Sequence, residues 1–370
     1  MLSSSNEAAE AELKRLGSPK RSKARKKTLS EDERKEYRAK INAQVEELDR
    51  HILEAIDNPE IIDQWVAQMR SGDLWRYSYG NLCLARSQAR ARGIDLTRLA
   101  GFKRFEQLGY RVSKGQSGLK ILAPKSYVRK DKKTGKPLLD DKGNKLRGTY
   151  FGTVSVFDIS QCEPILDDDG KPTNVDLHST PAAEQALLEL STVAREQGIE
   201  LFLGGASAEE SEHADSLNAL LSSSPSTGGF YTELGDQKTP TIVTRPGLGP
   251  AEEARVLAHE LGHALMHSGR AGYKDHDDRV RKEAEAESAA YVLMGQYGLE
   301  SEDQALYVSH WVRSLDSQLK TELEAEGLSG ARLERELAER KKWLVRDTMG
   351  NIQSAVRTVM ERAQEIRGQA

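Results

Sequence analysis

Two histidines four residues apart, with a glutamate directly after the first, constrain this chain more than any other feature. The segment Ala254–Gly269 reads ARVLAHELGHALMHSG and contains His259-Glu260-Leu261-Gly262-His263. That spacing calls for a helix: at 3.6 residues per turn the two histidines lie about 40° apart around the axis, so both imidazoles can reach one ion. Leu257, Leu261 and Leu265 form a separate stripe that can face a core. Glu252 and Glu253 suit the positive end of the helix, and Ser268-Gly269 can stop it. Zinc held by neutral imidazoles lowers the pKa of a water it binds to about 7, and an adjacent carboxylate can then take the proton. Glu260 is placed to be that general base.

Catalytic zinc takes a third protein ligand and keeps one open position. The acidic segment Arg281–Met294 (RKEAEAESAAYVLM) offers Glu283, Glu285 and Glu287. Glu283 and Glu287, four apart, share a helix face, and Glu285 is turned away from both. His267 follows His263 by four residues but stands about 12 Å along the axis from His259, too far for all three to hold one ion. It reads as a packing or supporting histidine. Tyr273, Tyr291 and His310 are candidates for an oxyanion helper.

The net charge of −4 conceals an asymmetry: residues 70–150 carry 20 Lys and Arg against 6 Asp and Glu, whereas residues 151–370 carry 21 against 38. A polyanion is drawn to the first region and repelled by the second. Within the basic region, Trp75-Arg76-Tyr77-Ser78-Tyr79-Gly80-Asn81 interleaves aromatic rings, a cation and hydrogen-bonding groups. Rings that stack on unpaired bases hold single strands with little sequence preference, and cations supply phosphate contacts. Candidate contacts are therefore Trp75, Arg76, Tyr77, Tyr79 and Asn81, with Arg104, Arg111, Lys114, Lys120 and Lys125 around them. Lys114-Gly115 with Gly118 marks a tight turn where a phosphate could come close.

Residues 1–30 read as a disordered basic tail, and Ser30 with Glu33 is a capping box opening a helix in which Ile41, Val45, Leu48, Ile52 and Ile56 recur. Leu119–Leu122 and Phe151–Ile159 favour strands, and the turn-rich stretch Arg129–Gly148 reads as an extended hairpin excursion. Glu163–Thr180 is acidic, with Pro and Gly, and predicts a linker. Beyond it come a helix at Ala182–Gln197, strands near 199–203, 230–234 and 241–244, and helical stripes from Ser301 onward. The expected organisation is a tail (1–30), a first domain (31–165), a linker (166–180), a second domain (181–300) and a helical C-terminal region (301–370). Two distant cysteines, Cys83 and Cys162, argue against a disulfide scaffold. With no apolar run near 18 residues and no signal-like start, the expectation is a cytoplasmic protein with no membrane contact.

Three separated stretches, Arg76–Gln88 (RYSYGNLCLARSQ), Gly101–Pro124 (GFKRFEQLGYRVSKGQSGLKILAP) and Val156–Gln161 (VFDISQ), resemble the N-terminal single-stranded-DNA-binding domain of ArdC-type antirestriction proteins. The second half, through HELGH at 259–263 and EAEAESAA at 283–290, resembles the ImmA/IrrE-like zinc metallopeptidase domain of that family. The resemblance implies an α+β protein of two domains: a mixed α/β module for single-stranded DNA, then a gluzincin-like metallopeptidase domain with a helical tail. It puts the third zinc ligand on Glu283, with Glu287 as the fallback. It also implies a mobile-element or phage protein that binds DNA entering a host and protects it from restriction, with a protein or peptide as possible substrate. Two other readings stay open. One is a regulatory zinc metalloprotease that cleaves a repressor-type protein and uses DNA for localisation; the other is a DNA-shielding protein whose metal is structural.

Overall fold

The computed structural model describes residues 31–70, 72–131, 134–140, 143–167, 169–170, 183–205, 217, 219, 221–222, 228–236, 238–268, 278–299 and 307–369. The basic tail and most of the linker stretch lie outside them. By its contacts the chain falls into two units, Met1–Ala43 and Gln44–Ala370. Of the first, the described part is the opening of helix α1 (Glu31–Asp57).

In the second unit α1 ends and α2 (Glu60–Met69) begins after Pro59. A short 3-10 turn (Leu74–Arg76) leads to α3 (Tyr79–Arg90), whose start is capped by the Ser78 hydroxyl accepting from the Asn81 amide. Strand β1 (Leu99–Ala100), helix α4 (Phe102–Gln107) and β2 (Tyr110–Val112) follow, then the long strands β3 (Leu119–Val128) and β4 (Arg147–Asp158), and β5 (Cys162–Pro164). β3 and β4 pair antiparallel from Leu119↔Val156 out to Val128↔Arg147, so the expected excursion between them is the tip of a hairpin. Bridges Lys130↔Pro137 and Leu139↔Lys145 carry that hairpin further. β1 pairs with β4, completing the sheet order β1-β4-β3, and β2 pairs with β5.

Helix α5 (Ala183–Glu196) and β6 (Glu200–Phe202) open the second half. β6 runs parallel to β8 (Thr239–Thr244), which pairs antiparallel with β7 (Gly229–Leu234), giving the order β6-β8-β7. The remainder is helical: α6 (Pro250–His267), α7 (Asp278–Gln296), α8 (Tyr307–Ala325) and α9 (Gly330–Gln369). Pro250 sits in the first turn of α6, where its missing N–H costs nothing, and Glu252 and Glu253 follow it.

The apolar stripe of α8 (Val308, Trp311, Val312, Leu315, Leu319 and Leu323) is buried, as are Ile352, Val356, Val359, Met360 and Ala363 of α9. These belong to one hydrophobic cluster that also holds Ile52, Trp65 and Trp75, Leu119, Leu190 and Leu257. That cluster therefore runs through residues of both sequence halves.

Candidate metal centre

Helices α6 and α7 approach each other closely because small residues meet there. A Cβ placed on Gly262 would stand 3.1 Å from the Ala286 Cα, and Ala284, Ala286, Ala289 and Ala290 of α7 are all buried. That approach brings an acid from α7 over the histidine face of α6. The Nε2 atoms of His259 and His263 are 3.1 Å apart, and Glu283 Oε2 lies 3.5 Å from the first and 3.7 Å from the second. Four ligands at about 2.0–2.1 Å from a tetrahedral ion stand about 3.3–3.4 Å apart. The three separations bracket that spacing within a few tenths of an ångström, and two neutral imidazoles with one carboxylate are a donor set that suits a divalent metal.

The outer ring nitrogens are held as well. His259 Nδ1 is 2.7 Å from Glu287 Oε2, so Glu287 supports the ring from behind while Glu283 faces the ligand nitrogens. His263 Nδ1 is 3.0 Å from His267 Nδ1, and His267 Nε2 is 2.8 Å from Glu285 Oε2. Glu285 Oε1 in turn accepts from Arg281 Nε (2.9 Å) and Asn351 Nδ2 (3.1 Å), and Arg281 reaches Asp347 (2.5 Å) and Thr348 (2.8 Å) on α9. With Nδ1–H of His263 donating to His267, and Nε2–H of His267 donating to Glu285, the ligand nitrogen of His263 is left as a lone pair. Glu285 turns away from Glu283, as helical spacing implies, but into this relay.

Electrostatics follow from the crowding. Burial would lower the His259 pKa, but hydrogen bonds to Glu283 and Glu287 more than offset it and raise it to about 10. The same hydrogen bonds to His259 and His263 hold the Glu283 carboxyl well below the usual carboxylate range. Glu260 is buried, which pushes its carboxyl up, while the histidines and a hydrogen bond from the Tyr231 backbone on β7 pull it back. Of the oxyanion candidates, Tyr291 lies under the Arg70 guanidinium, 4.2 Å from the ring centroid; His310 is exposed on α8; Tyr273 lies outside the described residues.

The aromatic cluster expected to stack on bases is used by the fold instead. Trp75 is wholly buried, with the Arg76 guanidinium 4.3 Å over its ring. Tyr79 is buried edge-on to Trp65, and its hydroxyl donates to the His51 carbonyl (3.3 Å). Tyr77 donates to the Leu99 carbonyl (3.0 Å), and burial pushes its hydroxyl up to about 12. Arg76 is engaged by Gln364, Asp73 and Glu361. Asn81 makes a two-point clasp on Leu122, its Oδ1 accepting from the amide (2.9 Å) and its Nδ2 donating to the carbonyl (2.8 Å). Gln88 does the same to Lys120 (2.8 Å each way), so two side-chain amides close the outer edge of β3. The expectation that Trp75, Tyr77, Tyr79 and Asn81 face a strand is thus corrected: composition marked a packing knot around the core.

The expected cations are surface groups. Arg104 and Lys114 are exposed, the latter before Gly115 at φ 89°. Arg111 pairs with Glu163 (2.9 Å) across β2–β5, Lys120 Nζ donates to Ser155 Oγ (2.5 Å), and Lys125 Nζ donates to the Thr153 carbonyl (2.8 Å). Among the described residues no helix is long and apolar enough to cross a membrane.

A family model for the N-terminal domain of the anti-restriction factor ArdC matches residues 31–157, and one for the IrrE N-terminal-like domain matches residues 218–326. The chain is 24% identical over 313 residues to an uncharacterised protein of Bacillus anthracis; the match covers 76% of this chain but 49% of that protein, so the chain spans about half its length. Among solved structures, the metal-free antirestriction ArdC protein from the R388 plasmid aligns at 19% identity over 78% of this chain and 86% of its own, with a TM-score of 0.39. The Mn(II)-bound form aligns at 16% identity over 78% and 85%, with a TM-score of 0.37. The two domain matches agree with the resemblances read from the motifs.

Proposed function

We propose that the chain, whose two halves match the ArdC N-terminal and IrrE-like domain models, is an ArdC-type protein that binds single-stranded DNA and protects entering mobile-element or phage DNA from restriction, with a zinc-dependent peptidase centre in its second half. The observation that carries this reading is the union, in one chain, of the ArdC N-terminal domain match with a His–His–Glu triad at tetrahedral spacing. His259, His263 and Glu283 are the proposed ligands, Glu287 and His267 hold the ligand rings, and Glu260 is the proposed general base. The ion, when bound, supplies a Lewis acid that polarises a carbonyl. Glu260 takes a proton from the attacking water on a carboxylate oxygen and passes it to the leaving amine nitrogen, so that one C–N bond breaks as one C–O bond forms.

The test is the efficiency with which a restriction-sensitive plasmid, delivered with the gene, enters a restricting host relative to a non-restricting one. Protection by the wild-type chain is the expected result, and none at all overturns the reading. Glu260→Gln separates its two parts: protection that survives this change belongs to DNA shielding alone, and protection that is lost depends on peptide hydrolysis.

A further inference from the structure

Three exposed aromatic rings lie close together on the β3–β4 hairpin. Near its base Leu119, Ile121 and Val156 are buried in the core. Further out the same two strands carry Tyr127 (49% exposed), Tyr150 (45%) and Phe151 (61%), large apolar surfaces that a stable fold gains nothing by leaving in water. The register sorts them. Residues directly opposite across an antiparallel pair share a face, so Lys125↔Tyr150 and Tyr127↔Gly148 lie together on one face, and Pro124↔Phe151 lies on the other.

Gly148 shapes the first face. A Cβ at that position would fall 2.6 Å from Tyr127 Cζ, so the Tyr127 ring lies directly over the glycine. Its inner side rests on backbone and its outer side is open. Tyr150 meets it at 6.0 Å between centroids and 62° between planes, which fixes both rings.

Charge completes the surface. Residues 119–151 contain ten Lys and Arg and three Asp. On the Tyr127–Tyr150 face Lys125 contacts only the Thr153 carbonyl among the described residues, with no carboxylate partner; Arg147, opposite Val128 and bonded to Ser126, lies on the Phe151 face. Asp131 accepts from Thr134 and Asp140 accepts from Asn144, each closing its own turn. Fixed, one-side-open aromatic rings beside an unneutralised cation are what a flexible strand with unpaired bases and a phosphate backbone fits; a duplex hides its base faces.

We propose that the β3–β4 hairpin is the strand-binding platform, with Tyr127 and Tyr150 stacking on bases and Lys125 meeting a phosphate. The proposal rests on the single-stranded-DNA reading above and gives it a place.

The test is fluorescence anisotropy of the full chain with a labelled 20-nucleotide mixed-sequence single strand and the matching duplex over a salt series. Tyr127→Ala/Tyr150→Ala should raise Kd for the single strand at least about 30-fold, the loss of two stacked bases. Phe151→Ala, on the opposite face, should leave it within about threefold. Lys125→Ala should reduce the slope of log K against log salt by about 0.7, one single-strand phosphate contact. Circular dichroism of each variant checks that the fold is kept. Single-strand binding that survives the double tyrosine change overturns the placement alone, as does a monomer–dimer equilibrium lost in that variant with DNA affinity intact. Failure of the wild-type chain to bind the single strand overturns both the placement and the reading it rests on.

Discussion

The Nε2 atom of His267 lies 2.8 Å from Oε2 of Glu285, and both side chains are buried behind His263. A relay of this kind fixes the ring orientation of a metal ligand and ties it to the scaffold, here through Arg281, Asn351 and Asp347 to α9. Supporting contacts of this sort change metal affinity by about 10- to 100-fold when removed. Glu285→Ala also takes from the buried Arg281 guanidinium one of its two carboxylates, leaving Asp347, so it lowers stability as well. The expected outcome is therefore weaker zinc binding in competition with a chelator, together with a lower Tm. His267→Ala should weaken zinc with a smaller stability loss. Wild-type affinity in both variants would show that the relay does not support the site.

The thiol of Cys83 is half-buried near the Tyr79 hydroxyl, and burial pushes it from the usual value near 9 up to about 11; Cys162 moves the same way for the same cause. At pH 8 a two-unit rise cuts the thiolate fraction about 100-fold, and the thiolate is the reacting form. Native protein should therefore be alkylated by iodoacetamide about 100-fold more slowly at Cys83 than urea-unfolded protein, as read by peptide mass. A folded pKa above the unfolded one stabilises the native state below about pH 9, and that contribution is lost as pH rises through about 11. Equal alkylation rates in the two states would contradict the burial.

Asn81 separates packing from DNA contact. Its amide serves both the Leu122 N–H and the Leu122 carbonyl, so Asn81→Ala leaves two edge groups of β3 without partners. Unmade bonds of this type cost about 1–3 kcal/mol each when the groups stay dry. The expectation is a Tm reduced by several degrees, with single-strand affinity unchanged below that temperature. A large affinity loss at unchanged stability would restore Asn81 to the interface.

What could be read from the sequence divides along the range of the interactions involved. The His259–His263 pair is a property of one helix, so local spacing alone placed both rings on one face. The acidic run at 283–287 was equally visible, but which carboxylate faces the Nε2 atoms depends on how α7 crosses α6 at Gly262–Ala286, a relation between distant segments. The role of Glu285 depends on α9, more than 60 residues away, and no periodicity announces it. Trp75 and Tyr79 were misplaced because interleaved rings and cations look the same on a surface and in a core until a neighbour such as Trp65 is known. Tyr127 and Tyr150 flank the turn-rich stretch, and aromatic residues interspersed with basic ones on the paired strands are the sequence signal that marks them.

Near the C-terminus, Arg367 makes a two-pronged pair with Glu189 of α5, at 2.8 Å from Nε to Oε1 and 2.8 Å from Nη2 to Oε2. Glu189 is wholly buried, and its remaining contacts are the Tyr297 hydroxyl (2.9 Å) and Gln185 (2.6 Å). Removing the guanidinium strands a carboxylate that water cannot reach, at a cost on the order of 3–5 kcal/mol. Arg367→Ala should therefore lower the urea midpoint with little change in slope, and Arg367→Lys should recover only part of the loss because an ammonium cannot reproduce the fork. The paired change Arg367→Met with Glu189→Leu removes both charges and should restore most of the stability. If the double variant is no more stable than Arg367→Ala, the loss lies elsewhere on α9 than in the stranded carboxylate.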